Sequence, residues 1–154
     1  MTTVLTYGSF DLFHIGHLKI LHAARALGDQ LCVGLSTDQF NQLKGKKTLT
    51  PYKDREQILL ALGCVDHVFP EISWDQKAID IQNYRATTLA MGGDWRGKFD
   101  HLKRYCDVVY FDRTEGISSS QLREKLRQPA LADYLLDPEN LELLRTLVSE
   151  WSEG

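Results

Sequence analysis

Val4-Leu5-Thr6-Tyr7-Gly8-Ser9-Phe10-Asp11-Leu12-Phe13-His14-Ile15-Gly16-His17 passes from an apolar strand through a polar loop into a helix. Val4 to Tyr7 reads as a first strand that stops at Gly8. From about His17 the apolar residues Leu18, Leu21, Ala24 and Leu27 recur at helical spacing, and Gly28 is a C-terminal stop. The same alternation repeats outward. Leu31 to Leu35 is a second strand, apolar throughout as buried parallel strands are. Thr37 or Asp38 caps a short helix through Leu43. The polar loop Lys44-Gly45-Lys46-Lys47-Thr48 follows, and Pro51 opens a helix with Ile58, Leu59 and Leu62 as its apolar face. Val65 to Phe69 is a third strand, Ser73 caps a helix carrying Ile79, Ile81 and Tyr84, and Thr88 to Met91 is a fourth strand. Val108 to Phe111 is a fifth, and a helix runs from about Gln121 to Leu126. This order predicts an α/β fold: a Rossmann-like, doubly wound, five-stranded parallel sheet with helices on both faces.

The chain has 154 residues, enough for one core without staples. Residues 1–128 are expected to form the catalytic domain and 129–154 a helical extension of it. In that extension Asp137-Pro138-Glu139-Asn140 is a helix start, and Leu141, Leu144, Val148 and Trp151 make an apolar stripe for core packing or a subunit contact. The net charge of −3 argues against a nucleic-acid coat or an anionic membrane surface as partner. Cys32, Cys64 and Cys106 form no C-x-x-C pair and read as reduced core residues. The N-terminus lacks a basic region with a long apolar run, so the expectation is a cytoplasmic protein.

Ligands of such sheets bind outside the C-terminal ends of the strands. The unusual polar residues fall at those ends: Gly8 to His17, Gly92-Gly93-Asp94-Trp95, and Arg113-Thr114-Glu115-Gly116-Ile117-Ser118-Ser119-Ser120. His14 and His17 lie three apart where a helix begins, so both rings can face one side of its first turn. Free N–H groups and the helix dipole there favour a phosphate. The imidazoles add donors, positively charged if protonated, and Gly16 leaves room for a nucleotide. Ordinary surface or core histidines, or a metal pair still lacking a third ligand, are the alternatives. Ser118, Ser119 and Ser120 precede a helix and make a second anion-binding N-terminus, where a plain cap needs only one serine. Arg113 can grip the same phosphates bidentately or form a surface salt bridge.

Together these segments resemble the cytidylyltransferase family, most closely its members that act on glycerol 3-phosphate. The family's H-x-G-H appears as His14-Ile15-Gly16-His17, and its R-T-E-G-I-S-S/T-T as Arg113 to Ser120, with Ser120 where threonine is common. Gly8-Ser9-Phe10-Asp11, Asp38, Lys44, Lys46, Arg55, Trp74 and Met91-Gly92-Gly93-Asp94-Trp95 also look like the family's pattern. The likeness covers about residues 3 to 127. It implies CTP and glycerol 3-phosphate as substrates, CDP-glycerol and pyrophosphate as products, Mg²⁺ carried mainly by the nucleotide phosphates, and a homodimer.

The implied roles are these. His14 and His17 serve the α-phosphoryl group. Lys44 and Lys46 hold phosphates of both substrates, though a solvated basic loop is the plainer reading. Arg113, Thr114, Ser118 and Ser119 hold the outer phosphates, and Gly8, Ser9 and Phe10 contact the nucleotide. Asp94 and the Gly92 backbone read the ribose or base. Arg55 contacts the acceptor phosphate or forms a helix-surface salt bridge, and Trp74 lines the acceptor pocket or is plain core. Asp11 belongs with the acceptor contacts, where it orients a basic residue or approaches a metal. No residue is assigned as a metal ligand. An adenylyltransferase of the same fold and a nucleotide-binding module without turnover are the alternatives.

Overall fold

The structure is a computed structural model, and it describes residues 1–127, 137–139, 141 and 142. Strands β1 (Thr3–Gly8), β2 (Gln30–Ser36), β3 (His67–Glu71), β4 (Ala86–Gly92) and β5 (Asp107–Phe111) alternate with helices. These helices are α1 (Ile15–Arg25), α2 (Asp38–Leu43), α3 (Tyr52–Leu60) and α4 (Gln76–Asn83), and α5 (Ser119–Arg127) closes the series. Two 3-10 turns, Gly93–Trp95 and Asp100–Arg104, fill the connection from β4 to β5. The chain forms two compact units, 1–119 and 120–154.

The sheet lies in the first unit, is parallel throughout and has the order β3-β2-β1-β4-β5. The chain winds outward from β1 to β3, then crosses back to place β4 on β1's other side. The switch of winding direction therefore falls between β1 and β4, where Thr6 pairs with Ala90. Successive strand residues face opposite sides. Val4, Val33 and Ala90 pack with Leu21, Ala24 and Leu59 on one face. Leu5, Cys32, Leu89 and Met91 pack with Ile81, Phe99 and Leu102 on the other. The doubly wound α/β class expected from the sequence is what the chain adopts.

The boundaries differ in instructive ways. α1 starts at Ile15, with His14 as its cap, two residues before the expected start at His17. Ser73 does not cap α4. The Gln76 side chain accepts from the Ile72 and Ser73 N–H groups instead, and the helix begins at Gln76. β3 runs His67–Glu71 rather than 65–69: just before it, the Asp66 N–H donates to the Leu31 carbonyl and the Asp66 carboxylate accepts the Leu31 N–H. Ile58 and Ile79, expected on apolar faces, are 40% and 61% exposed. The inward positions of α3 are Arg55 and Leu59, and those of α4 are Lys77, Asp80 and Ile81. Charged residues hold core-facing places on both helices, which is why apolar periodicity misplaced their faces.

In the second unit, Asp137 caps the expected helix start. Its carboxylate accepts the Glu139 N–H and its carbonyl the Leu141 N–H. Leu144, Val148 and Trp151 lie outside the described residues.

Candidate active site

The loop leaving β1 is held in a shape few residues adopt freely. Phe10 and Leu12 have φ of 48° and 49°, and between them Asp11 is fully buried. The Asp11 carboxylate accepts the backbone N–H groups of Leu49 and Thr50, each at 2.9 Å. Its own carbonyl accepts the Ser119 hydroxyl at 2.7 Å. Asp11 thus ties the 49–50 backbone and Ser119 to the β1 loop. It was expected among the acceptor contacts; its place is instead a buried brace, both oxygens taken.

Arg55 behaves likewise. It is 1% exposed and donates to the carbonyls of Thr50, Ser9 and Ser36 at 2.9, 2.7 and 2.9 Å. It also pairs with the Asp38 carboxylate at 2.7 Å. Burial works against the Asp38 carboxylate, yet donation from the Tyr52 N–H, Arg55 and Thr48 outweighs it and holds the group below the usual aspartate range. The guanidinium joins the ends of β1 and β2 to the 44–51 segment. Neither a surface salt bridge nor an exposed acceptor contact describes it.

The braced loop delivers the histidine pair. His14 Nδ1 accepts the Gly16 N–H at 3.0 Å, and His17 Nδ1 accepts the His14 N–H at 3.4 Å. The rings stack with centroids 3.9 Å apart. Phe10 and Phe13 border the His17 ring at 5.3 and 5.5 Å. With each Nδ1 used as an acceptor, the proton of each neutral ring sits on Nε2, which becomes a donor. Burial keeps both rings neutral: it lowers the pKa of His14, and with the nearby His14 it brings His17 down to about 4 against the pull of Asp11. Gly16 was expected to make room for a nucleotide. A side chain there would meet the His14 ring, whose Cε1 lies 2.8 Å from the site of a Cβ. The glycine accommodates its own histidine.

Lys44 ends α2. Gly45, at φ 70°, takes the left-handed place that follows, and the Lys46 N–H reaches back to Asn41. This turn directs Lys44 inward, where its Nζ donates to Ser36 Oγ at 2.8 Å, while Lys46 stays exposed. Ser36 in turn donates to Glu71 Oε2 at 2.5 Å, and Glu71 Oε1 accepts from Lys77 Nζ at 2.5 Å. Lys77 is 1% exposed. Rings of Tyr7, Trp74 and Phe99 lie 4.3, 5.0 and 5.2 Å from its ammonium. Trp74 also borders Lys44, at 5.2 Å. Two ammonium groups, one carboxylate and one indole therefore meet at the ends of β2 and β3. A cleft of about 470 Å³ opens beside them, lined in part by Trp74, Lys77, Trp95 and Phe99.

Lys77 and Glu71 escaped the sequence reading. Their one signal is position: Lys77 recurs with Asp80 and Ile81 at helical spacing, just past a strand end. Of the acceptor set expected from sequence, Lys44 and Trp74 come together here and Lys46 stands on the adjoining turn.

At the opposite end of the edge, Arg113 follows β5 and lies 3.4 Å from the Asp94 carboxylate, both side chains well exposed. A side chain at Gly92 would meet nothing within 4 Å, so the backbone there is open to a ligand; Gly93 packs under the Phe111 carbonyl. Ile117 lies 3.5 Å from the Gly16 Cβ position. The 113–119 segment thus rests against the turn that carries the histidines. Thr114 and Ser118 are half-buried within it. Gly8, Ser9 and Phe10 form the floor between, with the Phe10 ring tucked over Gly8. Among the described residues no three His, Cys, Asp or Glu side chains converge as a metal cage. Among them, too, no helix is long and apolar enough to cross a membrane.

Residues 5–125 match the model of the cytidylyltransferase-like family. The chain is 51% identical over 126 residues to the glycerol-3-phosphate cytidylyltransferase of Bacillus spizizenii, spanning 82% of this chain and 98% of that one. It is 46% identical over 126 residues to the Staphylococcus aureus protein of the same name, spanning 82% and 96%. Among solved structures, a lipopolysaccharide core biosynthesis protein from Thermoplasma volcanium superposes with a TM-score of 0.65 at 21% identity, over 75% of this chain and 99% of that one. That last likeness concerns the fold alone.

Proposed function

The chain belongs to the cytidylyltransferase-like family, and from that premise we propose that it transfers CMP from CTP to glycerol 3-phosphate, releasing pyrophosphate. A phosphate oxygen of the acceptor forms the new bond to the α-phosphorus, and the bond from that phosphorus to the bridging oxygen breaks. The attacking oxygen is already ionised, so no general base is needed. Catalysis then rests on positioning two polyanions and stabilising charge as it develops.

One observation carries this reading: groups suited to anions stand along a single sheet edge, in the order such a transfer requires. Lys44 and Lys77 at the ends of β2 and β3 hold the acceptor phosphate, with Lys46 on the flank. His14 and His17 at the end of β1 point Nε2–H donors toward the α-phosphoryl group and the leaving oxygen. Arg113, Thr114, Ser118 and Ser119 take the outer phosphates. Gly8, Ser9, Phe10, Gly92 and Asp94 border the nucleoside. The Arg113–Asp94 pair is exposed, so exchanging the carboxylate for a phosphate costs little.

Mg²⁺ keeps several waters and binds chiefly to phosphate oxygens, so it fits a site where, among the described residues, no group of three carboxylate, imidazole or thiol ligands converges. Bound there, it would screen the triphosphate charge. A homodimer and a reducing cytoplasm complete the proposal. The buried, unpaired cysteines suit the second, and sedimentation tests the first.

The deciding experiment is pyrophosphate release with each of four nucleoside triphosphates crossed with a panel of phosphorylated acceptors. Release with CTP and glycerol 3-phosphate is expected. Release only with ATP and another acceptor would replace the reading with an adenylyltransferase.

A further inference from the structure

Glu71 is 2% exposed and faces two lysines that the proposed transfer assigns to the acceptor. Its Oε1 accepts from Lys77, and its Oε2 accepts from Ser36 and lies 3.8 Å from Lys44 Nζ. Lys77 has three N–H donors; among the described residues Glu71 is the one hydrogen-bond acceptor that engages it, and the rings of Tyr7, Trp74 and Phe99 border the ammonium. An arriving phosphate must therefore share both ammonium groups with a carboxylate already in place.

That arrangement is unhelpful for tight binding and useful for attack. The acceptor's phosphate oxygen is the nucleophile, and each ammonium that grips it withdraws the electron density the new P–O bond needs. Two unshared ammoniums would hold the acceptor strongly in the ground state, which does not raise the turnover rate. A buried ammonium with no fixed partner would also lack a defined direction.

We propose that Glu71 is a positioning residue for the transfer: it fixes Lys77 directly and Lys44 through Ser36, and it holds back part of their charge so that the acceptor oxygen stays nucleophilic. The inference rests on the acceptor assignment above.

Glu71→Gln keeps the shape and removes the charge. Its acceptor KM is expected to fall about threefold while kcat falls about tenfold or more, with Glu71→Asp recovering part of both. Calorimetric titration with inorganic phosphate alone should show tighter binding to Glu71→Gln than to the unaltered protein. A raised KM with unchanged kcat, or no change in kinetics and phosphate affinity, overturns the proposal. If Glu71→Gln shows no cooperative thermal transition, Ser36→Ala decides: it cuts the hydrogen-bonded bridge that fixes Lys44 on Glu71 but keeps all three charges and the 3.8 Å ion pair. A kcat loss of about threefold or more supports the role, and an unchanged kcat overturns it. If the unaltered protein does not turn over CTP and glycerol 3-phosphate, the functional reading fails by itself, and the phosphate titration still decides what Glu71 does.

Discussion

His14 and His17 stack 3.9 Å apart, and each spends its Nδ1 on a backbone N–H of the turn they share. The capping bonds set the tautomer, and burial sets the charge. In the proposed transfer the pair therefore serves as two neutral donors, set before any ligand arrives.

A pH profile tests this. With the His17 pKa near 4 and that of His14 also lowered in the free protein, kcat/KM for CTP, which reports the free protein's groups, should show no histidine step from about pH 6.5 to 8. A rise in kcat/KM toward pH 6 would mean that imidazolium is the active form. Stability carries the same signature. Between the ordinary histidine value and about 4, the unfolded chain binds a proton that folded His17 refuses. Stability is thus fully present above the ordinary value and is lost as pH falls through that window. Melting temperatures should drop over it, and His17→Gln, which cannot protonate, should flatten the drop.

Gly16→Ala separates stability from activity. Alanine is the better helix former by about 1 kcal/mol, and Gly16 lies in the first turn of α1. The added methyl would lie 2.8 Å from His14 Cε1 and push the ring off its cap. The expected variant melts within a few degrees of the parent and loses about tenfold or more in kcat. Parent-like kcat would show that the ring's position is not critical.

Much of this was readable in the sequence. The strands announce themselves because parallel strands buried on both faces are continuously apolar, as in Leu31 to Leu35. The histidine pair and the Arg113 segment announce themselves by pattern and by falling at strand ends. The buried charges do not. Asp11 and Arg55 look like ligands for anions or cations, because nothing in local sequence reveals that the 49–50 backbone folds over one and three carbonyls converge on the other. Lys77 and Glu71 look like surface residues for the same reason. Their partners come from β2, α2 and the aromatic residues above them, a juxtaposition made only by the fold.

Arg55 gives a direct stability test. Arg55→Ala would strip donors from the carbonyls of Ser9, Ser36 and Thr50 and unpair Asp38. A loss of about 3–5 kcal/mol is expected. For a chain of this size that corresponds to roughly 10 °C in melting temperature. Arg55→Lys should recover little, since one ammonium cannot match a fork spread over four acceptors. A loss below about 1 kcal/mol in Arg55→Ala, measured by urea unfolding, would contradict the bracing role.

The two ends of the site should separate the two substrates. Arg113 is exposed and its pair with Asp94 is worth little to folding, so Arg113→Ala should keep its stability within about 1 kcal/mol. If the guanidinium binds outer phosphates, the lost charged hydrogen bonds, about 1.5–3 kcal/mol, raise the CTP KM by roughly 10- to 100-fold. Lys77 lies with Lys44 at the far end, beside the cleft under Trp74 and Trp95. Lys77→Met fills similar volume without charge, and Glu71 keeps its bond from Ser36 and its proximity to Lys44. Its effect should fall on the glycerol 3-phosphate KM by a similar factor, with CTP binding, followed by calorimetry, nearly unchanged. The crossed result, with Arg113→Ala weakening the acceptor and Lys77→Met weakening CTP, would reverse the orientation of the substrates along the sheet edge.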